Sequence, residues 1–413
     1  MARVLVVMMP AEGHVNPSLG LVKQLVDSGE EVIYACTEEF RTRVEQTGAK
    51  FITFHFDRQA FSDDPDLKPI EFKHPNQFIY MILRGLVERM VPHVLDAVEQ
   101  GEYDYMIYDS LMGWGGQVVS ERLGIPAACS IASFAFAEPL GLSKGSYEDT
   151  EEMKQLYSVI EELSQQLATK FQVATPPVDE IVKHFGQIKI VYTSRYFQPQ
   201  VDKLDDSFVF TGPSIVPRAD APTFSFETSH EQYKHTVYIS MGTILNRDLN
   251  FYKLCFSAFQ ELPIQFILSS GKDTDLTSVA DLIPDNFIVR PYIPQLEVLQ
   301  QVDAFITHAG MNSTSEALYF NVPLVTIPLT SDQPMVARRV QELGAGVVVD
   351  KRELTPESLK AALLEVLHDP SYRQQAHVIG ETLRQAGGYK QAAIEVMNRM
   401  GGSRLRTVSS TQE

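Results

Sequence analysis

Two apolar runs late in the chain, Ala304 to Thr307 and Val322 to Pro328, have strand length and are continuous rather than alternating. That pattern belongs to strands buried on both faces, as in a parallel sheet. Between them a helix-compatible segment opens at Gly310-Met311-Asn312-Ser313. Strand, tight turn, helix and strand in that order make one parallel crossover unit. The first residues repeat the logic: a strand from Val4, a turn over Pro10 to Pro17, a helix from Ser18 to Asp27 closed by Ser28-Gly29, and a strand from Glu31 to Cys36. Further strands are predicted at Asp104–Asp109, Phe208–Phe210, Thr236–Thr243, Ile264–Leu268, Phe287–Arg290 and Val347–Val349. Helices are predicted at Phe251–Leu262, Met335–Leu343, from a cap at Thr355 to near His368, and from about Tyr389 to Met400. The fold class is α/β, built of parallel sheets.

Two stretches break the alternation. Residues 55–92 carry His55, Phe56, Phe61, Phe72, Phe78, Tyr80 and Met81 with the acidic run Asp63-Asp64-Pro65-Asp66, and residues 134–175 carry Phe134, Phe136 and a polar helix around Glu148–Leu167. From Pro213 to His235 prolines recur with few periodic apolar residues, which marks a linker. A length of 413 residues exceeds one ordinary core. The expected division is 1–213, a linker at 214–235, a second domain at 236–387 and a closing helix at 388–402, with a polar tail behind it.

The formal charge of −18 makes nucleic acid or an anionic membrane a poor partner. An anionic ligand must therefore be held by local dipoles and a few donors. Cys36, Cys129 and Cys255 are far apart, with neither metal spacing nor a disulfide framework. No apolar run reaches membrane-spanning length and no basic leader precedes the first strand, so a cytoplasmic protein with reduced thiols is expected.

The candidate chemistry sits at the turns. After Thr307 come His308, Gly310, Asn312 and Ser313, small or polar groups where a helix start leaves N–H groups without partners. Such a turn binds phosphate without a metal. Glu316, further along the same helix, is an acceptor-only carboxylate. Asp332 and Gln333 follow the next strand, at the sheet edge where open α/β folds take ligands. Ser240, Gly242 and Thr243 close the strand from Thr236, with Gly242 letting backbone come close. No G-x-G-x-x-G follows the first strand; Gly13-His14-Val15-Asn16-Pro17 stands there instead. A histidine with an ordinary pKa near 6.5 suits proton abstraction from a hydroxyl. Asp109, ending its strand, is the candidate partner for that ring, with helix capping as the simpler role. The tripeptides Asp64-Pro65-Asp66 and Asp273-Thr274-Asp275 are read as solvated loop acids.

The block Tyr292-Ile293-Pro294-Gln295, His308-Ala309-Gly310-Met311-Asn312-Ser313, Glu316, Asp332-Gln333 resembles, in order and spacing, the donor-binding signature of UDP-glycosyltransferases. Plant members usually carry Trp where Tyr292 stands. Gly13-His14-Val15-Asn16-Pro17 and Ser240-Met241-Gly242-Thr243 are similar to further motifs of that family, so the resemblance covers almost the whole chain, nearest to bacterial macrolide- and flavonoid-type glucosyltransferases. It implies the GT-B fold: two facing Rossmann-like parallel-sheet domains with an interdomain cleft, and a last helix crossing back to the first domain. It implies that Tyr292 stacks the base, that Gln295 and Asn312 lie with the donor, and that His308, Ser313 and Thr243 bond the diphosphate. It further implies that Asp332-Gln333 handles the sugar, and that His14 is the catalytic base with Asp109 behind it. The irregular loops would wall an acceptor pocket, with Phe56, Met81, Met112, Trp114, Phe134 and Phe136 as candidates. The expected activity is inverting, metal-independent transfer of glucose from UDP-glucose to a small hydrophobic alcohol or phenol, with the UDP-sugar as co-substrate and no cofactor. The rival readings are a nucleotide-sugar epimerase of the same fold and a binding protein without turnover.

Overall fold

The computed structural model describes residues 1–57, 64, 74–137, 148–216, 232–242, 246, 248–272 and 274–401. The chain divides into two compact units: Met1–Ser214 together with the stretch from Gly387, and Ile215–Ala386. Residues 217–231 of the expected linker lie outside the described residues, and His235 at its end already opens a strand.

In the first unit Arg3–Val7 (β1), Glu31–Cys36 (β2), Lys50–Thr53 (β3), Tyr105–Asp109 (β4), Ala127–Ile131 (β5), Ile188–Val191 (β6) and Phe208–Phe210 (β7) form a sheet in the order β3-β2-β1-β4-β5-β6-β7. Every neighbouring pair is parallel. β1 shows why its residues read as one unbroken apolar run. Leu5 and Val7 enter the core on one face of the sheet, while Val4 and Val6 enter the core on the other. The second of these cores includes Ala392, Ala393, Val396 and Met400 of the last helix, Gly388–Met400, which packs beside the helix Glu12–Asp27.

In the second unit His235–Ser240 (β8), Ile264–Ser269 (β9), Phe287–Arg290 (β10), Ala304–Thr307 (β11), Leu324–Thr326 (β12) and Gly346–Val348 (β13) form a parallel sheet in the order β10-β9-β8-β11-β12-β13. In both units the strand order reverses beside the central strand, between β1 and β4 and between β8 and β11. At such a point the two chains leave the sheet in opposite directions and open a crevice at the C-terminal strand ends.

Several boundaries differ from the sequence-based expectation. The first helix runs Glu12–Asp27, so the stretch expected to be a turn up to Pro17 is already helical. Pro17 is the sixth residue of this helix, past the position where proline is readily tolerated, so it reads as a breaker although the helix runs through it. The expected strand 322–328 contracts to β12. The helix expected at Met335–Leu343 begins at Gln333, and the helix around Glu148–Leu167 is Glu151–Phe171, with the Thr150 side chain accepting at its N-terminus. A helix at Pro370–Gln385 was not foreseen. Part of the irregular stretch 55–92 is helical, over Pro75–Met81, a wider turn at Ile82–Val87, and Val91–Val98. Among the described residues no helix is long and apolar enough to cross a membrane. The three cysteines are buried and free.

Candidate active site

His14 and Asp109 come from the two strands that flank the switch point of the first unit. β1 ends at Val7, and His14 is the third residue of the helix that follows. Asp109 is the last residue of β4. His14 Nδ1 lies 2.8 Å from Asp109 Oδ2. Because a carboxylate only accepts, Nδ1 carries the proton in this contact. The other carboxylate oxygen, Oδ1, accepts from the Leu111 N–H at 2.8 Å. The two roles weighed for Asp109 therefore fall on separate oxygens. Asp109 is 0% exposed whereas the His14 side chain keeps 26%. A fixed, buried acceptor thus holds one edge of a ring that is itself partly exposed.

The second unit repeats the arrangement. Gly242 follows β8, and His308 follows β11. Gly242 has a φ of +77°, and a Cβ placed on it would stand 2.6 Å from His308 Cε1. A Cβ on Gly310 would stand 2.6 Å from His308 Nε2. Both motif glycines are therefore spaces for one imidazole, which lies between them. Backbone approach was the role expected of Gly242; the structure adds a steric one. Burial lowers the His308 pKa to about 4, so the ring is neutral near pH 7 and offers an N–H, not a charge. Ala309, directly after it, is held in the left-handed region with φ +65°. That turn aims the chain into the helix Met311–Tyr319, whose N-cap Gly310 contributes no side-chain hydrogen bond. A start without a side-chain cap favours an anion placed over it.

Other donor candidates gather on the same sheet edge. Gln295 Nε2 donates to Glu316 Oε2 at 2.6 Å and to Ser313 Oγ at 3.3 Å, so one amide ties the carboxylate to the serine a turn away. Gln333 Oε1 accepts the N–H groups of Leu329 at 2.9 Å and Thr330 at 3.2 Å. Since both partners donate, only the oxygen can face them. The amide NH2 is therefore the donor end of this side chain, and accepting falls to Asp332 in the pair. Asp332 is the N-cap of the helix Gln333–Glu342 and follows Ser331, another residue at positive φ, +63°. Tyr292 is partly exposed, with the Lys272 ammonium 5.4 Å from its ring centroid. Ser240 is buried at the end of β8 and accepts from the Gly242 N–H at 3.4 Å. Asn312 sits in the first turn of Met311–Tyr319. Thr243 lies outside the described residues. Asn246, which the sequence did not single out, donates to the Gly242 carbonyl at 3.0 Å.

The acceptor candidates divide. Met112, Trp114 and Phe134 are 0%, 2% and 1% exposed and belong to the interior, with Phe134 packed on Phe197. Their hydrophobicity is accounted for by the core, and composition does not separate a core aromatic from a pocket wall. Phe56, Met81 and Phe136 are half-buried and present surface. Of the D-x-D residues, Asp64 pairs with Arg89, and Asp275 accepts from the Thr277 N–H at 2.9 Å, closing its own turn. Asp66 and Asp273 lie outside the described residues.

The relatives of this chain are transferases of one kind. The family model described as "UDP-glucoronosyl and UDP-glucosyl transferase" matches residues 223–383. The chain is 36% identical over 405 residues to the uncharacterized UDP-glucosyltransferase YojK of Bacillus subtilis (strain 168), covering 96% of this chain and 97% of that protein. It is 34% identical over 391 residues to the NDP-glycosyltransferase YjiC of the same organism, with coverage of 94% and 95%. The crystal structure of the glycotransferase of kitacinnamycin matches with a TM-score of 0.77 at 25% identity, over 96% of this chain and 99% of that one. Taken with the two parallel-sheet units and their switch-point turns, these likenesses establish that the chain belongs to the UDP-glycosyltransferase family and is a glycosyltransferase of the GT-B fold.

Proposed function

We propose that this glycosyltransferase is inverting, and that it moves a sugar, best read as glucose, from a UDP-sugar to a hydroxyl of a small hydrophobic acceptor such as a flavonoid, a macrolide or another phenol. The observation that supports this most is the His14–Asp109 pair at 2.8 Å, a partly exposed imidazole on a fully buried carboxylate. In this reading Nε2 takes the acceptor's hydroxyl proton as the acceptor oxygen bonds to the anomeric carbon. The bond from that carbon to the diphosphate oxygen breaks, and its electron pair leaves with UDP. The single displacement turns an α-linked donor into a β-glycoside. Asp109 holds the ring in the required tautomer and answers the positive charge of the imidazolium.

The leaving diphosphate is assigned to His308, Ser313, Thr243 and the start of the helix Met311–Tyr319. These are neutral donors and a dipole, which need no metal to do the work. Tyr292 is assigned to the base, Glu316 to the ribose and Asp332 with Gln333 to the sugar hydroxyls. A relative named as a UDP-glucosyltransferase supports the choice of donor. Phe56, Met81 and Phe136 supply apolar surface for the acceptor.

Replacing His14 with Ala should lower transfer about 10²- to 10⁴-fold, the usual contribution of a general base, while calorimetry still finds UDP bound. Loss of UDP binding together with transfer would refute the assigned role. Activity should persist in excess EDTA. Its abolition, with recovery on adding a divalent ion, would overturn the metal-free account.

A further inference from the structure

Arg43 lies on the short helix Arg41–Glu45 that follows β2, and its guanidinium reaches the first turn of the helix that carries His14. Its Nη1 donates to Glu12 Oε2 at 2.6 Å and to Asn16 Oδ1 at 3.2 Å, and its Nη2 donates to Glu12 Oε1 at 2.8 Å. Asn16 Nδ2 closes the ring by donating to Glu12 Oε2 at 3.2 Å. The guanidinium is itself backed by the buried Phe40 ring, 5.0 Å from its centroid. Residues 12 and 16 stand two positions on either side of His14, so the clasp spans the turn that bears it.

That turn is weakly specified by its own sequence. Its N-cap is Ala11, which makes no side-chain cap. Gly13 is a poor helix former, and Pro17 has no N–H to give to the Gly13 carbonyl. Yet the short bond from His14 to Asp109 demands a fixed ring direction. The Arg43–Glu12 pair is partly exposed, 24% and 37%, and such pairs add little to overall stability. Its effect is angular.

We infer that Arg43 is a positioning residue for His14: through Glu12 and Asn16 it locks the first helical turn so that Nδ1 meets Asp109. The inference rests on the assignment of His14 as base. The test uses the full-length enzyme, wild type against the charge-neutral pair Glu12→Gln/Arg43→Met and the conservative Arg43→Lys. Removing both charges leaves the net charge unchanged. The first readout is the Nδ1–H proton resonance of His14, identified by its loss in His14→Asn and needing no acceptor. It should be sharp in the wild type and exchange faster with water in the double variant, with Arg43→Lys intermediate because an ammonium cannot make the bidentate contact. Transfer from UDP-glucose should fall about 10- to 100-fold in kcat, the loss that goes with a reacting group displaced by an ångström or less. UDP affinity and the melting temperature should hold. Unchanged Nδ1–H exchange overturns the inference. So does a loss of UDP binding and of melting temperature that Arg43→Lys shares, since that would mark a purely structural tie. If His14→Ala itself keeps full activity, the assignment of the base fails instead, which the same series distinguishes.

Discussion

His308 is confined by two missing side chains. A methyl group on Gly242 would press on Cε1 at 2.6 Å, and it would also have to adopt a φ of +77°. Both effects act in the same direction, and each costs about 1–3 kcal/mol. Gly242→Ala should therefore weaken UDP binding by at least about tenfold, the factor that goes with 1.4 kcal/mol, as read by titration calorimetry. The resonances of His14 in the other unit should not move. An unchanged affinity would mean that the ring can step aside and that the glycine pair does not position it. Gln333 carries a second lesson at this scale. Two backbone N–H groups take its oxygen, so a sugar hydroxyl facing this residue must accept.

At the scale of elements, the turns after β11 and β12 are both bent through non-glycine residues at positive φ, Ala309 at +65° and Ser331 at +63°. Each precedes a helix that begins with donor candidates. Strain of this kind persists only where the surrounding structure over-determines it. Ala309→Gly should relax the turn and raise the stability of the second unit by up to about 1 kcal/mol, followed by urea denaturation. The same change should loosen His308 and lower UDP affinity. Gain in stability without loss of affinity would mean that the strained turn is not part of the cradle. Helix starts are where the chain's local pattern was least readable. Pro17 and Pro334 both look like helix breakers, and both lie inside helices near their first turns.

Across the molecule, burial depresses two of the described histidines to about pKa 4, His184 in the first unit and His308 in the second. In the unfolded chain such groups titrate near 6.5. Between the two values the unfolded chain binds protons that the folded one does not, so stability rises with pH through that window and is lost as pH falls toward 4. The contribution is at most about 3 kcal/mol for each, less the screening at their exposed edges. Trp114, the single tryptophan, reports on the first unit alone. Its fluorescence should show the urea midpoint dropping from pH 6.5 to pH 4.5. His184→Gln, which still offers an acceptor to the Phe136 N–H, should flatten that drop. A variant as pH-sensitive as the wild type would place the acid response elsewhere.

What the sequence determined by itself follows from periodicity and from motifs whose residues are neighbours along the chain. Continuous apolar runs gave buried parallel strands because both faces of each strand are covered, and the block 292–333 gave the family because its order and spacing survive in one stretch. Only the tertiary structure decided the rest, and the reason is that each decisive contact joins segments distant in sequence. The bond between residues 14 and 109 had a candidate in the motif but no distance. The space that Gly242 leaves for His308, and the hold of Arg43 on Glu12 and Asn16, had no local signal, since the pairing of β8 with β11 and of β1 with β2 brings those segments together. Burial likewise sorted Met112, Trp114 and Phe134 into the core. An aromatic side chain carries the same apolar surface wherever it lies, and only its neighbours determine whether a ligand can touch it.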